Sequence, residues 1–308
     1  MTVIAVVCGG FSSEREVSLR SGRAVAEALS RSGNEVRLVD LRRDSFLAQL
    51  AGLRDAGVGF VFNALHGSPG EDGGVQAVLD ALGLPYNGSG PMASSLAMHK
   101  HLAKEVVSAA GVSTPPWRMV VDPAAVDAAI GSLGLPLVIK AAAEGSTVGL
   151  TIAKTRDAAI AGFHRARECG GMILAEGFVA GTEITVPVID HTALPIIEVR
   201  PRLADHYDYE SKYRPGGSEH VIPARIPETS ARLAAEAAVR ACDVLGVRVY
   251  GRVDFIVDHS TGVPQFLEVN TLPGMTDLSL FPESARHAGM TFELLLERIV
   301  TLSREAGN

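Results

Sequence analysis

The residues best placed to do chemistry lie near the C-terminal end of the chain. Arg252-Val253-Asp254-Phe255 and Phe266-Leu267-Glu268-Val269-Asn270 are two extended runs. Asp258-His259-Ser260-Thr261-Gly262 between them has the composition of a hairpin turn. Alternation along a strand puts Glu268 and Asn270 on one face, and pairing brings Asp254 beside them. Three hard oxygen donors gathered this way suit Mg²⁺, which takes one or two carboxylates and leaves its other positions to water and substrate phosphates. The same residues also read as two solvated strand ends joined by an acidic turn. The hairpin alone leaves both readings open.

Further groups point the same way without settling it. Lys140 leaves the apolar run Pro136–Lys140 and enters Ala143-Glu144-Gly145-Ser146-Thr147-Val148-Gly149. A lysine charge beside small residues, whose backbone N–H groups can approach closely, would clamp a phosphate. A tight hairpin with a surface lysine is the other reading, and Walker A spacing is absent. Glu176 and Glu183 flank a short bend, where an acid pair could hold an adenine amino group and a ribose hydroxyl, or stand as solvated charges. Tyr207-Asp208-Tyr209-Glu210-Ser211-Lys212-Tyr213 holds three of the five tyrosines in one long loop. Such a loop reads as a lid, with Lys212 reaching a phosphate and Tyr213 the substrate, or as an amphipathic surface loop. His66, in the glycine-rich turn Leu65–Gly73, is a substrate contact, a proton carrier or a core histidine.

The elements that must position these groups begin with a strand–helix alternation. Val3–Val7 is a continuous apolar run, as in a parallel strand buried on both faces. A helix follows, with Val17, Ala24, Val25, Ala28 and Leu29 on one side, Ser12 or Ser13 as its expected N-cap, and Glu14 and Glu16 in its first turn. Glu35–Val39 and Gly59–Asn63 read as strands and Gly74–Leu82 as a helix. This is the pattern of a doubly wound α/β domain, whose ligand crevice lies beyond the carboxyl ends of its strands. The loops Gly9–Glu14 and Leu65–Gly73 fall at such ends. Met98–Ala110 reads as one helix and Thr114–Trp117 as a linker. Beyond Gly181 the chain becomes α+β, with strands at Glu183–Val188 and Ile196–Val199, helix Ser230–Leu245, the acidic hairpin and a closing helix Thr291–Leu302.

At 308 residues the chain has room for roughly two or three structural units. With 47% hydrophobic and 20% charged residues, it has the composition of a soluble globular protein. A net charge of −7 and a pI near 5.7 argue against nucleic-acid or membrane partners. No apolar run reaches the ~18 residues of a membrane span. Met1–Gly10 lacks a basic leader and a cleavage site, so a cytoplasmic location is expected. Cys8, Cys169 and Cys242 are scattered and read as structural thiols in a reducing compartment, with a catalytic Cys8 the lesser alternative.

Taken together, five motifs make the chain recognisable. They are Glu14-Arg15-Glu16-Val17-Ser18, His66-Gly67 with Gly70-Glu71-Asp72-Gly73, Glu144-Gly145-Ser146, Tyr209-Glu210-Ser211-Lys212-Tyr213 and Asn270-Thr271-Leu272-Pro273-Gly274-Met275-Thr276. In order and spacing they resemble the D-alanine–D-alanine ligase family of the ATP-grasp superfamily, from about Val3 to Ile299. The resemblance implies an N-terminal doubly wound α/β domain (1–95), a central α+β subdomain (96–180) and a C-terminal α+β, metal-binding domain (181–308), the last two gripping ATP. It also implies roles. Lys100, Lys140 and Lys212 would contact phosphates, with Ser146 and Thr147 in the closing loop. Glu176, the backbone at Val179, and Glu183 would hold adenine and ribose. Asp254, Glu268 and Asn270 would bind two Mg²⁺, or Mn²⁺, with Glu268 bridging. Glu14 would hold the first ammonium group within a set including Ser146 and Tyr213, and His66 would contact substrate. Arg252 and the N–H of Gly274 would stabilise the oxyanion, and Ser279 and Leu280 would orient the second amino acid.

The implied reaction is ATP-dependent joining of two D-alanines through an acyl phosphate, for peptidoglycan precursors, by a homodimer. The alternative is a related ligase with a different acceptor. Departures from the family's usual pattern include Asn87 for a threonine, His99 for an aspartate, Ala141 for a proline, Thr147 for a second serine, and Asp277-Leu278 beside the acceptor pair.

Overall fold

A computed structural model describes residues 3–143, 149–201, 217–276 and 279–307. The apolar run at the start forms β1 (Val3–Gly9), flanked in parallel by β2 (Val36–Leu41) and β3 (Val58–Asn63) in the order β2-β1-β3. Helices α1 (Arg15–Arg31), α2 (Phe46–Asp55) and α3 (Gly74–Leu82) connect and cover them. Ile4, Val6, Phe60 and Phe62 meet Val25, Ala28 and Leu29 of α1 on one face, while Ala5, Val7 and Val61 meet Leu50, Leu53, Val75 and Leu79 on the other. Apolar residues on both faces of the strands therefore bury the sheet between helices, as the sequence pattern requires. Two of its loops, after Gly9 and after Asn63, lie at carboxyl ends of these parallel strands.

The expected helix Met98–Ala110 is α5 (Lys100–Ala109), starting two residues later, and a separate helix α4 (Pro91–Met98) precedes it. His99 has ψ 88°, outside the helical region, and the Lys100 N–H donates to the Ala142 carbonyl at 2.9 Å. Lys100 thereby becomes the first residue of a new helix, fastened beside the strand that carries Lys140. Trp117, expected in a linker, opens β4 (Trp117–Val120). With α6 (Pro123–Leu133), β5 (Leu137–Ala141), β6 (Thr151–Ala153), α7 (Arg156–Glu168) and β7 (Ile173–Gly177) it builds an antiparallel sheet ordered β4-β7-β5-β6. Val126, Ala129, Ala159 and Phe163 of the two helices cover it.

The third sheet runs β11-β10-β8-β12-β13. Its strands are β8 (Gly181–Ile189), β9 (Thr192–Ala193) paired to β8, β10 (Ile197–Pro201), β11 (Ser218–Val221), β12 (Tyr250–Asp258) and β13 (Pro264–Asn270). Helix α8 (Glu228–Leu245) and α5 cover one face, where Ala234, Ala238 and Ala241 meet Ile184, Val186, Val253, Phe255 and Phe266. The opposite face carries the polar residues of the site. After it come α9 (Leu280–His287) and α10 (Phe292–Glu305), and Phe281, Leu295, Leu296 and Ile299 return to the core of the first sheet. Asn87 ties the same two regions together: it accepts from the Asn63 N–H at 2.5 Å and donates to the Tyr250 hydroxyl at 2.7 Å.

Candidate active site

The acidic hairpin forms as its sequence requires. Asp254 stands directly opposite Glu268, and Arg252 opposite Asn270. A register shift follows Asp254: Phe255 pairs with Phe266, leaving Leu267 as the extra residue of a bulge. Strict alternation would put Phe266 on the same face as Glu268 and Asn270. The bulge breaks that phase, so Phe266 enters the core against Phe255 while Glu268 stays on the polar face. On the other side of β12, Thr185 pairs with Asp254 and Glu183 with Ile256, which places Glu183 and Thr185 on this face too.

The carboxylates are held by cations and a hydroxyl. Arg252 makes a two-pronged contact with Asp254 at 3.0 and 2.9 Å, and the Thr185 hydroxyl donates to the same carboxylate at 2.5 Å. Lys100 Nζ lies 3.0 Å from Glu268 Oε2. Asn270 Oδ1 accepts from the Leu272 N–H at 3.0 Å, which orients its amide at the strand end. Among the described residues no cluster of three or more His, Cys, Asp or Glu gathers as a metal site. This set instead has two carboxylates and an amide oxygen, a donor set of the kind Mg²⁺ takes.

One strand system away, Glu176 is almost fully buried on β7 between two lysines. Lys140 Nζ lies 2.9 Å from its Oε2 and Lys104 Nζ 3.0 Å from its Oε1. Burial opposes ionisation of Glu176, but the two ammonium groups outweigh it and hold the carboxyl below its ordinary range. Burial likewise pulls the Lys104 ammonium down to about 8, against the attraction of Glu176. Lys104 also donates to Thr114 Oγ1 at 2.7 Å and to the Phe266 carbonyl at 3.0 Å. It therefore joins Glu176 of the central sheet to the bulge that sets Glu268 on the third sheet. The sequence reading passed over Lys104, although it stands one helical turn beyond Lys100 on the same face of α5. Val179 is half-buried in the connection between β7 and β8.

At the first sheet, Glu14 occupies the N-cap position of α1, the place expected for Ser12 or Ser13. Its carboxylate does not cap the helix and is buried. Ser12 instead accepts from the Glu14 N–H at 3.2 Å and donates to the His66 carbonyl at 2.6 Å, tying the two loops together. His66 is buried, with Nε2 3.1 Å from Ser21 Oγ and Nδ1 3.3 Å from Glu71 Oε1. Gly67 has φ +67°, and a Cβ there would fall 2.9 Å from Ser12 Cβ and 3.4 Å from Glu14 Oε2. Only glycine lets this turn pass so close to Ser12, with Glu14 in contact beside it. Arg15 fixes the loop from behind by donating to both oxygens of Asp40 at 2.8 Å and to the Gly10 carbonyl at 2.9 Å.

Gly274 passes Ser279 so closely that a Cβ would meet its Oγ at 2.9 Å. Ser279 Oγ accepts from the Thr276 N–H at 3.1 Å and shares a hydrogen bond with its hydroxyl at 2.8 Å. Leu280 is buried against Ile197 and Val199. Ser146, Thr147, Lys212 and Tyr213 lie outside the described residues. Cys8 and Cys242 are buried, and burial pushes their thiols up to about 11 and about 12, which fits packing rather than nucleophilic use.

Lys100 of α5 facing Glu268 of the third sheet, next to the Lys140–Glu176 pair of the central sheet, defines the class: this is an ATP-grasp fold. A family model described as D-ala D-ala ligase C-terminus matches residues 106–301. The D-alanine--D-alanine ligase of Halalkalibacterium halodurans is 46% identical over 306 residues, covering 97% of this chain and 98% of that protein. That of Desulforudis audaxviator is 44% identical over 308 residues, covering 98% of each. The crystal structure of the ligase from Bacillus anthracis complexed with ATP superposes with a TM-score of 0.86 at 30% identity, covering 100% of this chain and 99% of that one. The VanG D-Ala:D-Ser ligase from Enterococcus faecalis reaches 0.83 at 27% identity, covering 98% and 99%. The chain belongs to the D-alanine–D-alanine ligase family.

Proposed function

We propose that this chain joins two D-alanines into D-alanyl-D-alanine at the expense of ATP, supplying a peptidoglycan precursor. The observation that carries the reading is the polar face of the third sheet, where Asp254, Glu268 and Asn270 stand together with Lys100 and Arg252 beside them.

A carboxylate and a triphosphate repel each other, so phosphoryl transfer to an amino-acid carboxylate needs neutralised charge and in-line geometry. Lys100 and Lys140 supply fixed positive charge for phosphate oxygens, joined by Lys212, with Ser146 and Thr147 in the closing loop. Glu176, the Val179 backbone and Glu183 line the nucleoside end. Asp254, Glu268 and Asn270 fit Mg²⁺ by type and placement, and they would hold two such ions, or Mn²⁺. When bound, the metal neutralises phosphate charge. Glu14, buried beside Gly67, takes the ammonium of the first D-alanine in a set with Ser146 and Tyr213, and His66 contacts the same substrate. The resulting acyl phosphate is attacked by the amine of the second D-alanine, which Ser279 and Leu280 orient. Arg252 and the Gly274 N–H hold the oxyanion that forms. Exclusion of water protects the acyl phosphate from hydrolysis.

In this reading the chain divides into units 1–95, 96–180 and 181–308, supported by its three separate sheets. It works as a homodimer in the cytoplasm, where ATP is abundant. No helix among the described residues is long and apolar enough to cross a membrane.

Purified protein given ATP, Mg²⁺ and D-alanine alone should release ADP and form the dipeptide. ADP release only when D-serine or a D-hydroxy acid is added would replace this acceptor with another. No ADP release with any pair would end the reading.

A further inference from the structure

The residues that orient the second amino acid sit at the start of α9, and something must hold that helix end in place. Phe281 anchors it in the core of the first sheet and Ser284 donates to the Pro195 carbonyl at 2.7 Å, and two further contacts come from the β10–β11 pair. The first is apolar: Leu280 is buried against Ile197 and Val199, with Ile222 packed beside them. Ile197 stands opposite Thr185 and so shares the polar-site face of the sheet. The second is polar and comes from residues with no assigned part in the reaction. His220 of β11 places Nδ1 2.6 Å from Oε2 of Glu283, in the first turn of α9. Its Nε2 lies 3.1 Å from Ser218 Oγ.

Glu283 is coupled to the acceptor residues through the backbone, since its N–H donates to the Ser279 carbonyl at 3.0 Å. It is therefore the residue that closes the first turn begun at Ser279. Ser279 in turn braces Thr276 and packs against Gly274, so that fixing Glu283 fixes the whole approach to the acceptor. The imidazole is held from both sides. Nδ1 must carry a proton, because two acceptors do not share a hydrogen bond, and Ser218 meets the other nitrogen. Side-chain exposures of 17% for His220 and 27% for Glu283 place the pair at the rim of the sheet, sheltered but not sealed.

We propose that His220 is a positioning residue for the second D-amino acid, acting through Glu283 on the helix turn that presents Ser279 and Leu280. The proposal rests on the reading of Ser279 and Leu280 as acceptor-binding residues. It separates this pair from the nucleotide and first-substrate groups, which lie on other elements. The mechanism is preorganisation: a turn held in its binding geometry binds its ligand without first having to be ordered.

The test is steady-state kinetics with the two D-alanine sites resolved, on wild type, His220→Ala, Glu283→Ala, the double variant and His220→Asn. His220→Ala and Glu283→Ala should each raise KM for the second D-alanine several-fold, while KM for ATP and for the first D-alanine stay near wild type. The double variant should be no worse than the poorer single variant. His220→Asn, which can still donate to Glu283, should recover part of the loss. A general loss of folding would lower all three affinities together and would overturn the proposal, as would an unchanged second KM. Ser279→Ala distinguishes the two levels. If it raises the second KM while His220→Ala does not, the positioning role fails and the acceptor site stands. If Ser279→Ala leaves the second KM unchanged, the acceptor assignment fails and the inference falls with it.

Discussion

Lys104→Met is the substitution whose consequence the structure specifies most fully. Lys104 is completely buried and its ammonium meets Glu176, Thr114 and the Phe266 carbonyl. Hydrogen bonds from a charged donor contribute roughly 1.5–3 kcal/mol each. The Phe266 carbonyl keeps the Thr114 hydroxyl at 2.9 Å, and the Glu176 carboxylate keeps Lys140 at 2.9 Å on Oε2, so its charge stays paired while Oε1 loses its cation. The loss therefore falls below the roughly 3–5 kcal/mol of a buried charge left without any partner. Removing an ammonium that burial disfavours offsets a further part. A net cost of about 2 kcal/mol remains, which over 308 residues, at roughly 2.1 cal/mol/K each, corresponds to a fall in Tm of about 3 °C.

The pH dependence of that gap has a definite sign. The folded chain releases the Lys104 proton near 8, while the unfolded chain holds it to about 10.5. Between these values the unfolded state binds more protons, so this group makes the native state more stable as pH rises. The Met variant lacks that contribution, and the difference in Tm between wild type and variant should widen from pH 8 to pH 10. Thermal melts followed by circular dichroism across that range are the assay. A Tm change under about 1 °C, or a gap that narrows with rising pH, would refute the picture of a strained buried ammonium joining two sheets.

Three further outcomes follow from the site. Glu268→Ala removes one of two facing carboxylates and should abolish ADP formation at ordinary Mg²⁺; near-normal turnover would remove the metal assignment. Arg252→Met should lower kcat by roughly 10²–10³ if its guanidinium serves the oxyanion. A rise in KM for ATP with kcat intact would make it a ground-state contact instead. Glu14→Gln should raise KM for the first D-alanine far more than KM for ATP, and equal changes in both would count against its pairing with an ammonium.

Much of this architecture was legible in the sequence because local patterns were strong. Unbroken apolar runs marked β1 and β3, and Gly74–Leu82 reads as a helix with the bounds it has. The acidic hairpin was legible because both its strands and its turn were written in adjacent residues. What stayed hidden depends on partners far away in the chain. The bulge at Leu267 appears only when β13 is laid against β12, where Phe266 must reach Phe255 in the core. The break at His99 coincides with the hydrogen bond from the Lys100 N–H to the Ala142 carbonyl, a partner 42 residues away that no helix propensity signals. Ser12 resembled an N-cap by type and position, yet its hydroxyl is used to join the Glu14 and His66 loops. His220 and Glu283 lie 63 residues apart, and nothing local connects them. Lys104 was the one omission that spacing could have repaired, since Lys100 and Lys104 share a helix face.

The central claim is that ATP activates a D-alanine carboxylate by phosphorylating it, on the face formed by Asp254, Glu268 and Asn270. The most direct measurement uses D-alanine labelled with ¹⁸O in its carboxylate, followed by mass analysis of the inorganic phosphate released. The account predicts that each phosphate carries one oxygen from the amino acid, because the acyl phosphate passes that oxygen on when the second amine displaces it. Unlabelled phosphate, or label recovered in AMP, would contradict it.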